Sequence, residues 1–201
     1  MNTARYYVAL LTVVVFPPPL IAWLIIHPLA DKLRQIGLKG TYLCIFGFYA
    51  AGMLSIWLVR DYILSINYGF SAPLLGLSMV LLCLSIYVRV LWRRILRPST
   101  IFGLPEIRGM HEPSNLVTEG IYSRVRHPRY LEVGLGLWAA AFFSNYLAIY
   151  VIGLAYIPLI NLIVRLEECE LRNRFGTLYD NYCSKVPRFI PRIKFLSLNR
   201  D

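Results

Sequence analysis

Residues 131–164, LEVGLGLWAAAFFSNYLAIYVIGLAYIPLINLIV, decide the fold, because after Glu132 no charged side chain appears until Arg165. A helix needs roughly 20 apolar residues to cross about 30 Å of hydrocarbon. A run this long, broken only by Ser144-Asn145, therefore reads as two short spans, Leu131–Asn145 and Tyr146–Val164, folded into a tight hairpin. Working outward, Tyr6–Ile26, Thr41–Val59 and Ala72–Val90 are three more stretches of this kind. Pro17-Pro18-Pro19 falls inside the first, where the missing backbone donors break or kink a helix. That segment has one early cation, Arg5, and no small-residue cleavage pattern, so it reads as a span and not as a signal peptide. A composition of 57% hydrophobic and 16% charged residues excludes an ordinary soluble domain.

The expected architecture is an all-α, multi-pass transmembrane bundle of about five spans, in a single domain. Residues 1–92 hold three N-terminal spans, 93–130 a loop, 131–164 the hairpin, and 165–201 a C-terminal helix and tail. No strand-like alternation or glycine-rich strand end is present, so no Rossmann domain is expected. Gly134 and Gly136 read as sites of close helix packing. Of the 21 Lys and Arg, all but Arg5 and Arg60 fall on one side of this topology. The positive-inside rule then puts the N-terminus outside and the C-terminus in the cytosol. The net charge of +10 suits an anionic leaflet, so no nucleic-acid partner is needed. Cys44, Cys83, Cys169 and Cys183 are scattered, which predicts neither a disulfide framework nor a metal site.

Two polar clusters flank the hairpin. The first is Gly120-Ile121-Tyr122-Ser123-Arg124-Val125-Arg126-His127-Pro128-Arg129-Tyr130. Pro128 is suited to open a helix, which sets His127 beside its positive N-terminal end, a place for an anionic group. Arg124, Arg126 and Arg129 would equally serve as lipid-headgroup anchors. The second cluster begins with Arg165, Glu167, Glu168 and Glu170. Helical spacing sets Arg165 near Glu168, Glu168 near Arg172 and Glu170 near Arg174. Carboxylates so near an apolar boundary are costly, and an adjacent pair suits an ammonium or sulfonium. A metal would lack its third and fourth ligands. Tyr179, Tyr182, Pro187, Phe189 and Pro191 follow, suited either to stacking an adenine or to anchoring in the interface. His27 and His111 have no ligand-spaced companions and read as interfacial.

Taken together, Gly120-x-Tyr122-x-x-Val125-Arg126-His127-Pro128-x-Tyr130, Arg165-x-Glu167-Glu168, and Phe175-Gly176-x-x-Tyr179-x-x-Tyr182-x-x-x-Val186-Pro187-Arg188-Phe189-x-Pro191 resemble the C-terminal half of the isoprenylcysteine carboxyl methyltransferase family. Phospholipid N-methyltransferases share a looser form. The resemblance covers roughly residues 115–192. It implies an integral membrane methyltransferase that uses S-adenosylmethionine, yields S-adenosylhomocysteine and acts on a lipophilic or lipid-modified acceptor. By that resemblance Tyr122, His127, Pro128, Tyr130 and Glu167 would line the cofactor pocket. Val186, Pro187, Arg188 and Phe189 would close over the adenosine. Arg165, Glu167 and Glu168 would be the catalytic residues.

A carboxylate acceptor needs a cation to hold it, for which Arg165 is the candidate; an amine must lose a proton, for which Glu168 or Glu167 would be the base. The expected activity is carboxyl O-methylation of an isoprenylcysteine-type substrate. Alternatives are N-methylation of a phosphatidylethanolamine-like headgroup, a membrane reductase using a nicotinamide cofactor, and a non-catalytic small transporter or assembly protein. A bacterial cytoplasmic membrane and an endoplasmic reticulum membrane both fit.

Overall fold

A computed structural model describes residues 2–95 and 116–191, with the backbone alone described over 22–34 and 38–39. Part of the expected loop (96–115, with His111) and of the expected tail (192–201) lies outside the described residues. The elements are α1 (Asn2–Val15), α2 (Pro17–Leu58), α3 (Arg60–Ile63), α4 (Ala72–Arg93), a 3-10 turn (Gly120–Ser123), α5 (Pro128–Ser144), α6 (Leu147–Phe175) and α7 (Thr177–Lys185). Among the described residues the one β feature is an isolated bridge between Asn67 and Tyr146. The protein is an all-α membrane helical bundle.

The prolines act as their chemistry requires. α1 stops at Val15, and Pro17 opens α2 at the position where its missing N–H has no helical acceptor to lose. Gly37 interrupts α2 with φ 80° and ψ 166°, and the chain turns there so that Gly52 comes back against Pro18. The region between the first two expected spans is thus a helical corner. Four stretches are long and apolar enough to cross a membrane: Asn2–Ile21, Gly40–Leu58, Ala72–Arg93 and Leu147–Phe175. The expected fourth span, α5, has 17 residues, about 25 Å at ~1.5 Å per residue, and is not among them. α6 has 29 residues, about 43 Å on the same rise, so the last apolar span and the second polar cluster share one continuous helix.

Close packing sets α5 between its neighbours. Ser85 donates to the Glu132 carbonyl at 3.0 Å and Ser78 to the Ala139 carbonyl at 2.7 Å, stitching α4 along α5. A Cβ at Gly134 would stand 3.0 Å from the Tyr156 ring, and one at Gly136 3.3 Å from the Ser85 hydroxyl. One glycine therefore admits α6 and the other α4, as small residues at membrane-helix contacts do. Glu132, buried on α5, pairs with Arg89 of α4 at 2.8 Å.

The hairpin turn is fixed from outside itself. Asn145 adopts a left-handed conformation (φ 58°), its side-chain amide donates to the Gly69 carbonyl, and its carbonyl accepts from Tyr68 N–H. Arg5 of α1, 2% exposed, donates to the Ser144 carbonyl from Nε at 3.1 Å and Nη2 at 2.8 Å, and from Nη2 to Asn67. Helix C-termini present unpaired carbonyls and partial negative charge, and Arg5 answers both. With the turn held at one end, α5 and α6 deliver His127 and Glu168 to the other.

Candidate active site

Pro128 begins α5 and His127 precedes it with φ −124° and ψ 61°, a non-helical cap. The cap is pinned by the segment that follows α7: Arg126 N–H donates to the Pro187 carbonyl at 2.9 Å and His127 N–H to the Arg188 carbonyl at 3.0 Å. Two stretches sixty residues apart in sequence thus share a short backbone ladder. Tyr182 adds a bond from its hydroxyl to the Tyr122 carbonyl at 2.6 Å.

Glu168 lies at the centre and is fully buried. Arg188 reaches it from Nε at 3.1 Å and from Nη2 at 2.6 Å. Arg126 Nη2 stands 3.0 Å away, His127 Nε2 3.3 Å, and Arg172 Nη2, one turn along the helix, 3.9 Å. A carboxylate buried alone would be prohibitively unfavourable, so several charged donors are needed to hold it there. Both Glu168 oxygens are therefore engaged.

Glu167 differs. Its Oε2 is buried with no hydrogen-bond partner, and His127 Nδ1 is 3.7 Å away. Tyr130 is hydrogen-bonded to the Glu167 carboxylate, and Tyr122 lies close enough to be influenced by its charge. Burial, reinforced by Glu167, raises the Tyr122 hydroxyl pKa, so Tyr122 is a neutral donor at ordinary pH. The His127 ring is flanked by Tyr130, stacked at 5.9 Å between centroids, and by Phe189 at 6.1 Å.

The structure brings together most of the residues singled out from sequence: Tyr122, His127, Pro128, Tyr130, Glu167, Glu168, Arg188 and Phe189 surround one point, with Val186 buried and Pro187 half-buried behind them. Arg165 stands apart. It is exposed, and two residues of helix, about 200° of rotation, place it on the far side of α6 from Glu167. Tyr179 and Tyr182 are buried in a cluster with Val186 and have no free face for a ligand. Burial pushes the Tyr182 hydroxyl up to about 12. Arg126, read from sequence as a lipid-headgroup anchor, is instead a direct partner of buried Glu168; its place beside His127 was the available signal. Among the described residues no group of His, Cys, Asp or Glu is arranged to hold a metal.

A family model described as phospholipid methyltransferase matches residues 73–177, just over half the chain and inclusive of His127, Glu167 and Glu168. The chain is also similar to the Protein-S-isoprenylcysteine O-methyltransferase of Schizosaccharomyces pombe, at 37% identity over 81 residues. That stretch is 39% of this chain, and it spans only 34% of the yeast protein's length. The family match spans helices α4 to α6, and the chain belongs to the phospholipid methyltransferase family.

Proposed function

We propose that this protein takes a methyl group from S-adenosylmethionine and delivers it to the carboxylate of a lipophilic, isoprenylcysteine-type acceptor, releasing S-adenosylhomocysteine. The observation that carries the reading is the Glu167 carboxylate, with one oxygen buried and without a hydrogen-bond partner amid His127, Tyr122 and Tyr130. A buried acceptor left unpaired is costly, and a cationic ligand relieves it. When bound, S-adenosylmethionine supplies an activated methyl group on a positive sulfur, beside a positive ammonium.

The chain's residues then have to bind, align and exclude water. Glu167 holds the ammonium, with His127 and Tyr130 lining that part of the site. Glu168, engaged by Arg126, His127 and Arg188, fixes those side chains. Arg188 and Phe189 close over the adenosine, with Val186 and Pro187 behind them. Arg165, exposed on the side of α6 away from Glu167, is not placed to hold an acceptor carboxylate in line with that methyl group. In this reading the site faces the cytosol, as the positive-inside rule suggests, in a bacterial cytoplasmic or endoplasmic reticulum membrane.

The family match favours one second reading, N-methylation of a phosphatidylethanolamine-like headgroup. A labelled-methyl assay with farnesylcysteine and phosphatidylethanolamine separates the two. The first reading predicts label on farnesylcysteine in a base-labile ester. Base-stable label on phosphatidylethanolamine overturns it in favour of the second.

A further inference from the structure

A cavity of about 620 Å³ lies between the C-terminal end of α4 and the 3-10 turn. Tyr87, Val88, Leu91 and Leu131 make its apolar wall, and Arg94 and Arg124 supply its charge. None of His127, Tyr130 and Glu167 lines it, and among the described residues no acidic side chain does. Arg94 and Arg124 are both exposed, and among the described residues neither has an ion-pair partner. The wall continues into the outward surface of α4, where Ile86, Tyr87 and Val90 are exposed on a stretch apolar enough to cross a membrane.

We propose that this cavity binds an anionic glycerophospholipid, its phosphate between Arg94 and Arg124 and the start of an acyl chain along Tyr87, Leu91 and Leu131. An apolar wall continuous with a lipid-facing helix favours a ligand that enters from the bilayer. Two guanidiniums with no ion-pair partner among the described residues, at the end of that wall, favour a phosphate head, for which the planar fork is the matching donor. A soluble anion would use the arginines and leave the wall exposed to water; a neutral lipid would use the wall and leave the arginines without a net countercharge. The ligand with both parts is the membrane's own anionic lipid, and its binding braces the start of α5 against α4. The site stands whether or not the catalytic reading does.

The test is native mass spectrometry of protein released from nanodiscs of equimolar phosphatidylglycerol and phosphatidylcholine. Wild type retains phosphatidylglycerol preferentially. A basic residue near an anionic surface is worth a factor of about five, so the double variant Arg94→Ala/Arg124→Ala lowers that retention on the order of twentyfold. Leu91→Trp, which fills the wall and leaves both arginines, lowers it as well and decides the matter if the double variant fails to fold. Three results overturn the proposal: undiminished retention in either folded variant, equal retention of phosphatidylcholine by wild type, or displacement of the lipid by millimolar inorganic phosphate, which marks a free-anion site.

Discussion

The guanidinium of Arg188 meets the carboxylate of Glu168 with two parallel bonds, Nε to Oε1 at 3.1 Å and Nη2 to Oε2 at 2.6 Å. This fork-to-fork contact is stronger and more directional than a single charged bond. It fastens the segment after α7 to α6, while the carbonyls of Pro187 and Arg188 fasten the same segment to Arg126 and His127. One pair, Glu168 buried and Arg188 partly exposed, thereby sets the spacing of both walls of the site.

Removing one member of a buried pair strands the other, at about 3–5 kcal/mol. Glu168→Ala leaves Arg126, His127 and Arg188 facing one another and is expected to lower the thermal unfolding midpoint sharply. Arg188→Lys keeps the charge, loses the fork and should fall between wild type and Glu168→Ala. Circular dichroism melts in detergent check the order.

Glu167→Gln makes the opposite prediction. Its Oε2 bonds to nothing in the protein, so the melt is expected to move little. If Glu167 holds a cationic ligand through a charged hydrogen bond of about 1.5–3 kcal/mol, S-adenosylhomocysteine binding weakens by roughly ten- to a hundredfold. Titration calorimetry alongside the melt separates the two effects.

Much of this was legible in the sequence, for identifiable reasons. The hairpin at Ser144-Asn145 followed from hydrocarbon thickness, and Pro128 marked a helix start because proline loses least there. The packing roles of Gly134 and Gly136 were also legible, since only a missing Cβ lets Tyr156 and Ser85 so close. The corner at Gly37 was not, because a flanking apolar pattern does not report one residue's φ. Nor was the division of labour between Glu167 and Glu168: adjacent residues on a helix point about 100° apart, and only the packing of Arg126 and Arg188 shows which one is enclosed. Arg165 read as a neighbour of Glu168 from its three-residue spacing, yet it is exposed outside the network. Arg5 read as an outlying cation and proves to be the clamp on the hairpin turn, a contact across 139 residues that no local pattern announces.

Arg5→Ala leaves the Ser144 carbonyl without its side-chain donor at the end of the bundle remote from Glu168, while Asn67 Oδ1 keeps the Gly69 N–H. A loss of about 1–3 kcal/mol is expected for the one buried acceptor, the Ser144 carbonyl. Because the clamp touches no site residue, the affinity for S-adenosylhomocysteine should stay within about twofold of wild type in protein that remains folded. A tenfold loss would instead tie the turn to the site.

Tyr182 gives a pH test. Burial raises its hydroxyl from the ordinary 10.0 to about 12, so the unfolded chain releases this proton first as pH rises. The associated stability is present below pH 10 and is lost between about 10 and 12. Tyr182→Phe removes this contribution along with the bond to the Tyr122 carbonyl. It is expected to melt lower at neutral pH and to decline less steeply over that interval.

Calorimetry of the detergent-solubilised protein with S-adenosylhomocysteine decides whether the site around His127 and Glu167 belongs to an S-adenosylmethionine-dependent methyltransferase. Saturable one-site binding that Glu167→Gln weakens is expected. No binding of S-adenosylhomocysteine, with NADPH binding in its place, would contradict it.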